Sequence, residues 1–203
     1  MDIIDYYYWI SSDWAYFGNP RLKQISTRHG VRINYRPVDL VMVYARTGGI
    51  QLQHRSEERK EYRFVEMARF RDILNMPIVL EPRNPPVTGK LPAGVVIAAQ
   101  SLGVDVHNLN HAIMTALWAD DQDIEDPAVL DCILHAQGLD SHQLLERAKS
   151  QDTSRLYDAY TEEAISRGVF GAPFYFFNGE PFWGQDRLDL LDRAITRHQG
   201  QAR

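Results

Sequence analysis

Ser11, Ser12 and Asp13 stand where an apolar and aromatic run, Ile3 to Ile10, gives way to a helical pattern beginning near Ala15. The run has the length and the aromatic and β-branched content of a buried strand. A serine or aspartate at its exit can cap the next helix by accepting from free backbone N–H groups. The unpaired N–H groups and the positive end of the helix dipole also meet there, which favours an anion. Taken alone, Ser12 reads as an N-cap.

Other residue groupings point to less. His107 and His111 are spaced i, i+4 and can share a helix face, but no third ligand for a metal is evident. Asp120 to Asp126 is rich in acids, lacks the glycine of a calcium loop and runs into Pro127, so it reads as a solvated turn. Gly48-Gly49 is followed by no lysine-serine pair and is not a phosphate loop. Cys132 falls among helical positions expected in the core and reads as inert. As the single cysteine, it excludes an internal disulfide and a Cys-x-x-Cys redox pair within the chain. The tyrosines and tryptophans near the start read mostly as core, with a few lining an apolar pocket.

The chain that must position these groups has 203 residues, 44% hydrophobic and 24% charged. That suits one sizeable core, or a core carrying an inserted subdomain. A net charge of −5 offers no basic surface for nucleic acid or an anionic membrane. No apolar run reaches the roughly 18 to 20 residues of a membrane span. The opening Met1-Asp2-Ile3-Ile4-Asp5 has no basic leader and reads directly as a strand, so a cytoplasmic protein is expected.

In order, Tyr16 to His29 reads as a helix ended by Gly30, and Val31 to Arg36 as a second strand ended by Pro37. Two strands joined this way are expected to lie parallel. Tyr44 to Gln53 reads as a loop, Arg55 to Leu74 as a long charged helix, and Met76 to Leu80 as short and extended. Glu81 to Pro92, with four prolines, is a stiff loop. Helices follow over Ala93–Leu102, Val106–Ala119, Pro127–Gln137, Ser141–Ser150 and Thr153–Arg167. Asn178-Gly179 between the aromatic runs Phe174–Phe177 and Glu180–Trp183 is a strong hairpin signal. Asp186 to His198 closes the chain as an amphipathic helix.

This β-α-β, helical block, β-β-α outline resembles the thioredoxin-like α/β fold of the DsbA branch, with a large all-helical insertion. On that reading residues 1–40 and 168–203 form a discontinuous thioredoxin-like domain around an insertion at 41–167. Gly168-Val169-Phe170-Gly171-Ala172-Pro173, with Phe182-Trp183-Gly184-Gln185-Asp186-Arg187-Leu188, is similar to the pattern of the kappa-class glutathione transferases. It is most similar to their bacterial relatives, the 2-hydroxychromene-2-carboxylate isomerases. Ser12, Tyr16 and Asn19-x-Arg21-Leu22 resemble that family's active-site turn, and Tyr35 to Leu40 and Trp118 with Asp123-Ile124 fall in register.

The resemblance implies glutathione as cofactor and a role for several residues. Ser12 takes the place of the serine that hydrogen-bonds the glutathione sulfur, where a hydroxyl donor at a helix N-terminus lowers the thiol pKa. Ser11 is an adjacent competitor. Pro173 matches a cis-proline that leaves the backbone of Ala172 to pair with the cysteinyl part of glutathione. Gln185 and Asp186 match residues that hold the γ-glutamyl end, although Asp186 alone would read as a helix cap. Gln53 and Arg59 align with glutathione contacts, and a solvated charge explains Arg59 equally well. Tyr35 and Asp39 fall on the substrate side, where Tyr35 reads equally as strand core.

Two departures stand out. Asp13 replaces a proline, and an acid pointing inward beside a thiolate would raise the thiol pKa, so Asp13 is expected to point outward or cap the helix. The loop that carries arginines in the isomerases offers only Arg83 and Lys90 here, differently spaced, and one lysine does not replace a bidentate arginine. The implied activity is glutathione-dependent cis-trans isomerisation of a small aromatic, conjugated carbonyl compound, with a homodimer expected. A kappa-type glutathione transferase or peroxidase is the alternative. A non-enzymatic thioredoxin-fold protein that binds glutathione or a partner chain is the second.

Overall fold

Alternation along the first strand sets the layering of the molecule, which the computed structural model describes over residues 2–84 and 88–201. In β1 (Ile3–Tyr8), Ile4, Tyr6 and Tyr8 enter one core while Tyr7 enters another on the opposite face. β1 pairs parallel with β2 (Arg32–Pro37) and antiparallel with β3 (Phe174–Phe177), and β3 pairs antiparallel with β4 (Glu180–Trp183). The sheet order is β2-β1-β3-β4. Asn178 and Gly179, at φ of 49° and 80°, form the turn between β3 and β4. Positive φ at both central residues is what the Asn-Gly signal calls for.

The β1–β2 crossover is α1 (Asp13–His29), capped at its start by Ser12 and at its end by Gly30. It lies on the larger core with α9 (Leu188–Gln201); Phe17, Leu22, Leu191 and Ile195 are all buried there. α2 (Leu40–Thr47) and α8 (Gln151–Ser166) cover the other face, meeting Tyr7 through Val43 and Ala164. On that side the Tyr7 hydroxyl donates to Glu163, and Arg167 pairs with Asp5 at 2.7 Å, which fastens the end of α8 to the sheet.

The remaining helices are α3 (Glu57–Leu74), α4 (Lys90–Ser101), α5 (His107–Trp118), α6 (Pro127–Ala136) and α7 (Ser141–Ala148). Met67, Val96, Leu117 and Leu134 from these helices join Tyr6 in the larger core. α4 is buried continuously from Pro92 to Ala99, which its small apolar residues permit.

Several expectations change. Tyr44 to Thr47, expected to open a loop, instead complete a helix over residues 40–47, because Asp39 caps two N–H groups, those of Val41 and Met42, and Gly48 closes the far end at φ 81°. An eight-residue helix gives too short a periodic window to be seen in the sequence. Pro92, expected in the loop, sits in the first turn of α4, where a missing N–H costs nothing. Met76 to Leu80 stays outside the sheet, as an irregular segment in which Val79 N–H donates to the Trp118 carbonyl at 2.6 Å. Cys132 is exposed, because Leu130 and Leu134 take the buried face of α6 and the residue between them points away.

Candidate active site

Ser12 reaches its place because β1 ends at Tyr8 and the chain turns within four residues into α1. The Ser12 N–H donates to the Trp9 carbonyl at 2.9 Å, closing that turn. The Ser12 Oγ accepts from Ala15 N–H at 3.2 Å, as an N-cap. Used as an acceptor there, the hydroxyl keeps its own hydrogen for another partner. Ser12 lies on the wall of a groove of about 540 Å³. Ser11 lies beside it, its Oγ buried and without a hydrogen-bond partner among the described residues.

The groove has an apolar side and a cationic side. Trp9, Trp118, Leu40 and Val41 supply the first; Arg55, Lys60 and Arg63 supply the second, with Gln51 and Gln53 between. Trp9 is held by a 3.1 Å bond from its Nε1 to the Thr88 carbonyl. Arg55 is set by its Nε donating to the Ile50 carbonyl at 3.0 Å, and its guanidinium reaches the Tyr44 hydroxyl. Burial holds the Tyr44 hydroxyl pKa above its usual value, so it stays protonated despite the arginine. Trp14, Tyr44, Arg55 and Ala172 line both this groove and an adjoining hollow of about 260 Å³. The two adjoin across these residues and together make a depression.

The hollow is walled by Pro173, Trp183, Gln185 and Asp186. The Ala172–Pro173 peptide is cis. Ala172 lines both spaces, and no backbone hydrogen bond to it occurs among the described residues. The preceding Gly171 lets the Trp183 ring lie close, since a Cβ there would come 2.6 Å from Trp183 Nε1. Gln185 is buried and its side chain is occupied, accepting from Arg21 at 3.1 Å. Arg21 also pairs with Asp189 at 2.9 Å, so the Asn19-x-Arg21 stretch serves to dock α1 on the start of the last helix. Asp186 is half-exposed and pairs with Arg187 at 2.7 Å.

Residues 3–196 match the DSBA-like thioredoxin domain. The chain belongs to this family. Among curated relatives it is 27% identical to the 2-hydroxychromene-2-carboxylate isomerase of Pseudomonas sp. strain C18, covering 95% of this chain and 90% of that one. It is also 27% identical to the enzyme of the same name from Sphingobium xenophagum, over 95% of this chain and 97% of that one. Among solved structures, a 2-hydroxychromene-2-carboxylate isomerase superposes with a TM-score of 0.83 at 24% identity, covering 98% and 97% of the two chains. A probable DsbA oxidoreductase from Streptomyces coelicolor superposes at 0.78 with 17% identity, covering 98% and 91%.

On this DSBA-like frame, Ser12, Gln53, Ala172, Pro173, Gln185 and Asp186 come together along the depression. Five other expected residues do not. Tyr35 is buried in the larger core, its hydroxyl 2.7 Å from His107 Nδ1, because the β1–β2 register places it beside Tyr6. Asp39 is occupied in capping α2; its neighbours Leu40 and Val41 face the groove instead. Arg83 turns away to Asp121, at 2.5 Å, with its side chain 79% exposed. Lys90 begins α4 and is exposed. The middle of that loop, residues 85–87, lies outside the described residues.

Arg59 is exposed and off the groove, whereas Lys60 and Arg63 share the inward stripe of α3 with buried Met67. That i, i+3, i+7 spacing was available as a signal, although charged residues on a charged helix rarely mark an inward face. Of the two poses expected for Asp13, outward or capping, the outward one does not occur: Asp13 is buried and paired with Arg63 at 2.8 Å, while its Oδ1 accepts from Trp14 N–H in the first turn of α1. His107 and His111 stack with ring centroids 6.4 Å apart. Among the described residues no group of three His, Cys, Asp or Glu could hold a metal ion, and no helix is long and apolar enough to cross a membrane.

Proposed function

We propose that this protein is a glutathione-dependent cis-trans isomerase of a small aromatic, conjugated carbonyl compound of the 2-hydroxychromene-2-carboxylate type. The observation that carries this reading is the placement of Ser12. Its hydroxyl caps α1, retains a hydrogen to donate, and opens on a groove shared with Ala172. A tripeptide thiol laid along the depression would run from Asp186, past the Ala172 backbone, to Ser12. The isomerase names of relatives covering nearly the whole chain support the same reaction class.

The chemistry follows from a stabilised thiolate. Ser12 O–H and the N-terminal turn of α1 favour the anionic sulfur over the thiol. Glutathione held by Ser12 and the Ala172 backbone would supply a sulfur nucleophile able to add reversibly to the conjugated carbon, so that the intervening bond could rotate before elimination gave the thiolate back. Orientation and an activated nucleophile supply the rate. Arg55 and Lys60 give the groove a cationic wall suited to an organic carboxylate.

Ultraviolet titration with glutathione, followed by a turnover assay on a hydroxychromene carboxylate, tests the proposal. The wild type is expected to form a thiolate band and to isomerise the substrate only when glutathione is present. Ser12→Ala should lower kcat/KM by about a hundredfold or more, as loss of a donor to a developing or bound anion does. Equal thiolate formation by Ser12→Ala would remove Ser12 from the mechanism. An accumulating conjugate in place of isomer would identify a transferase.

A further inference from the structure

Asp13 and Arg63 make an unusual pair beside Ser12. Both line the groove, yet their side chains are only 8% and 13% exposed. Each carboxylate oxygen of Asp13 has a separate partner. Oδ1 accepts from Trp14 N–H at 2.9 Å, and Oδ2 accepts from Arg63 at 2.8 Å. Arg63 in turn lies over the Trp118 ring, 5.9 Å from its centroid, so its position is fixed by packing as well as by charge. A buried carboxylate without a cation would be costly, and beside a sulfur anion it would act against thiolate formation.

We propose that Asp13 and Arg63 form a neutral positioning pair for the sulfur site at Ser12, in which the arginine cancels the only acid on that turn. The inference rests on the glutathione reading given above. The carboxylate fixes the first turn of α1 by holding Trp14 N–H, and Arg63 removes the electrostatic penalty of having that carboxylate there. Arg55 and Lys60, on the same cationic wall, remain for the carboxylate groups of ligands. The other titratable group of the neighbourhood, Tyr44, stays neutral and does not substitute for either partner.

Because the pair is balanced, removing each partner must shift bound glutathione in opposite directions. The test is the thiolate absorbance of glutathione bound to the full chain, followed against pH for wild type, Arg63→Gln, Asp13→Asn and the double variant. Asp13→Asn keeps an oxygen for Trp14 N–H and leaves Arg63 unopposed, so the apparent thiol pKa should fall. Arg63→Gln should raise it by about one unit or more, the size expected for one close charge. The double variant should return near the wild type.

A merely structural pair would alter stability and leave these pKa values together. Shifts of the two single variants in the same direction, or no shift in either, overturn the proposal. Should Arg63→Gln fail to fold, the direction of the Asp13→Asn shift alone decides it. A wild type without any thiolate band removes the glutathione reading, and the pair's role with it. A band indifferent to both substitutions removes only the pair.

Discussion

The hydroxyl of Ser12 can donate once and accept twice, and the fold uses one acceptance, from Ala15 N–H. A residue that looks like an ordinary cap from its neighbours thus keeps a donor pointed elsewhere. Tyr35 is the contrasting case. Its hydroxyl lies 2.7 Å from His107 Nδ1, with both residues buried. Tyr35→Phe is expected to cost about 1–2 kcal/mol, since it leaves a buried ring nitrogen unpaired. Isomerase kcat/KM should hardly change, which thermal melts and steady-state kinetics on the same variant will check. At this scale the sequence was informative where a motif fixed position, as at Ser12, Ala172 and Gln185. It was misleading where residue type alone was used, since tyrosine suits both a substrate wall and a strand core. Arg83 failed for a related reason: a cation in a loop takes whichever acid is near, here Asp121.

Among the helices, α4 and α7 approach each other closely at Gly94. A Cβ on Gly94 would lie 2.8 Å from the Ala148 carbonyl oxygen, and that contact is with backbone rather than with a flexible side chain. Gly94→Ala must therefore separate the two helices. The expected cost is about 1–3 kcal/mol, read as a fall in melting temperature of roughly 3–10 °C for a chain of this size. Strong local signals made β1, α1 and the β3–β4 hairpin legible: an aromatic run, a glycine stop and an Asn-Gly turn. α2 was hidden because its eight residues carry too few turns to show a period. The cationic wall was hidden by composition, because α3 is so rich in charge that Lys60 and Arg63 do not stand out from Arg59.

At the scale of the molecule, two histidines tie the α1–α5 interface to pH. Burial pushes the His107 pKa down from 6.5 to about 4, helped by nearby Lys23 and His111, and partly offset by Asp105. Burial lowers His111 as well. The unfolded chain then binds more protons than the folded one between these values. Stability is complete above pH 6.5, is lost as the pH falls toward 4, and loses nothing further from His107 below that. Melting temperatures from pH 7.5 to 4.5 should decline through this window, and His107→Gln should flatten the decline. An unchanged slope in that variant would place the acid sensitivity elsewhere. Whole-chain architecture was legible because strand and helix order point to one sheet with its helical cover. The inward turn of Asp13 was not, since it depends on Arg63, fifty residues away in sequence.

Trp9, Trp14, Trp118 and Trp183 are all of the tryptophans in the chain, and every one lies on the wall of the depression. Indole emission from this protein is therefore a signal from the candidate site and from nowhere else. A molecule entering the groove meets three of the indoles and shares the fourth through the adjoining hollow, with no label attached. The same arrangement makes fluorescence a poor witness to events at the α4–α7 contact or at Cys132. Stability changes there belong to circular dichroism, and occupancy belongs to fluorescence.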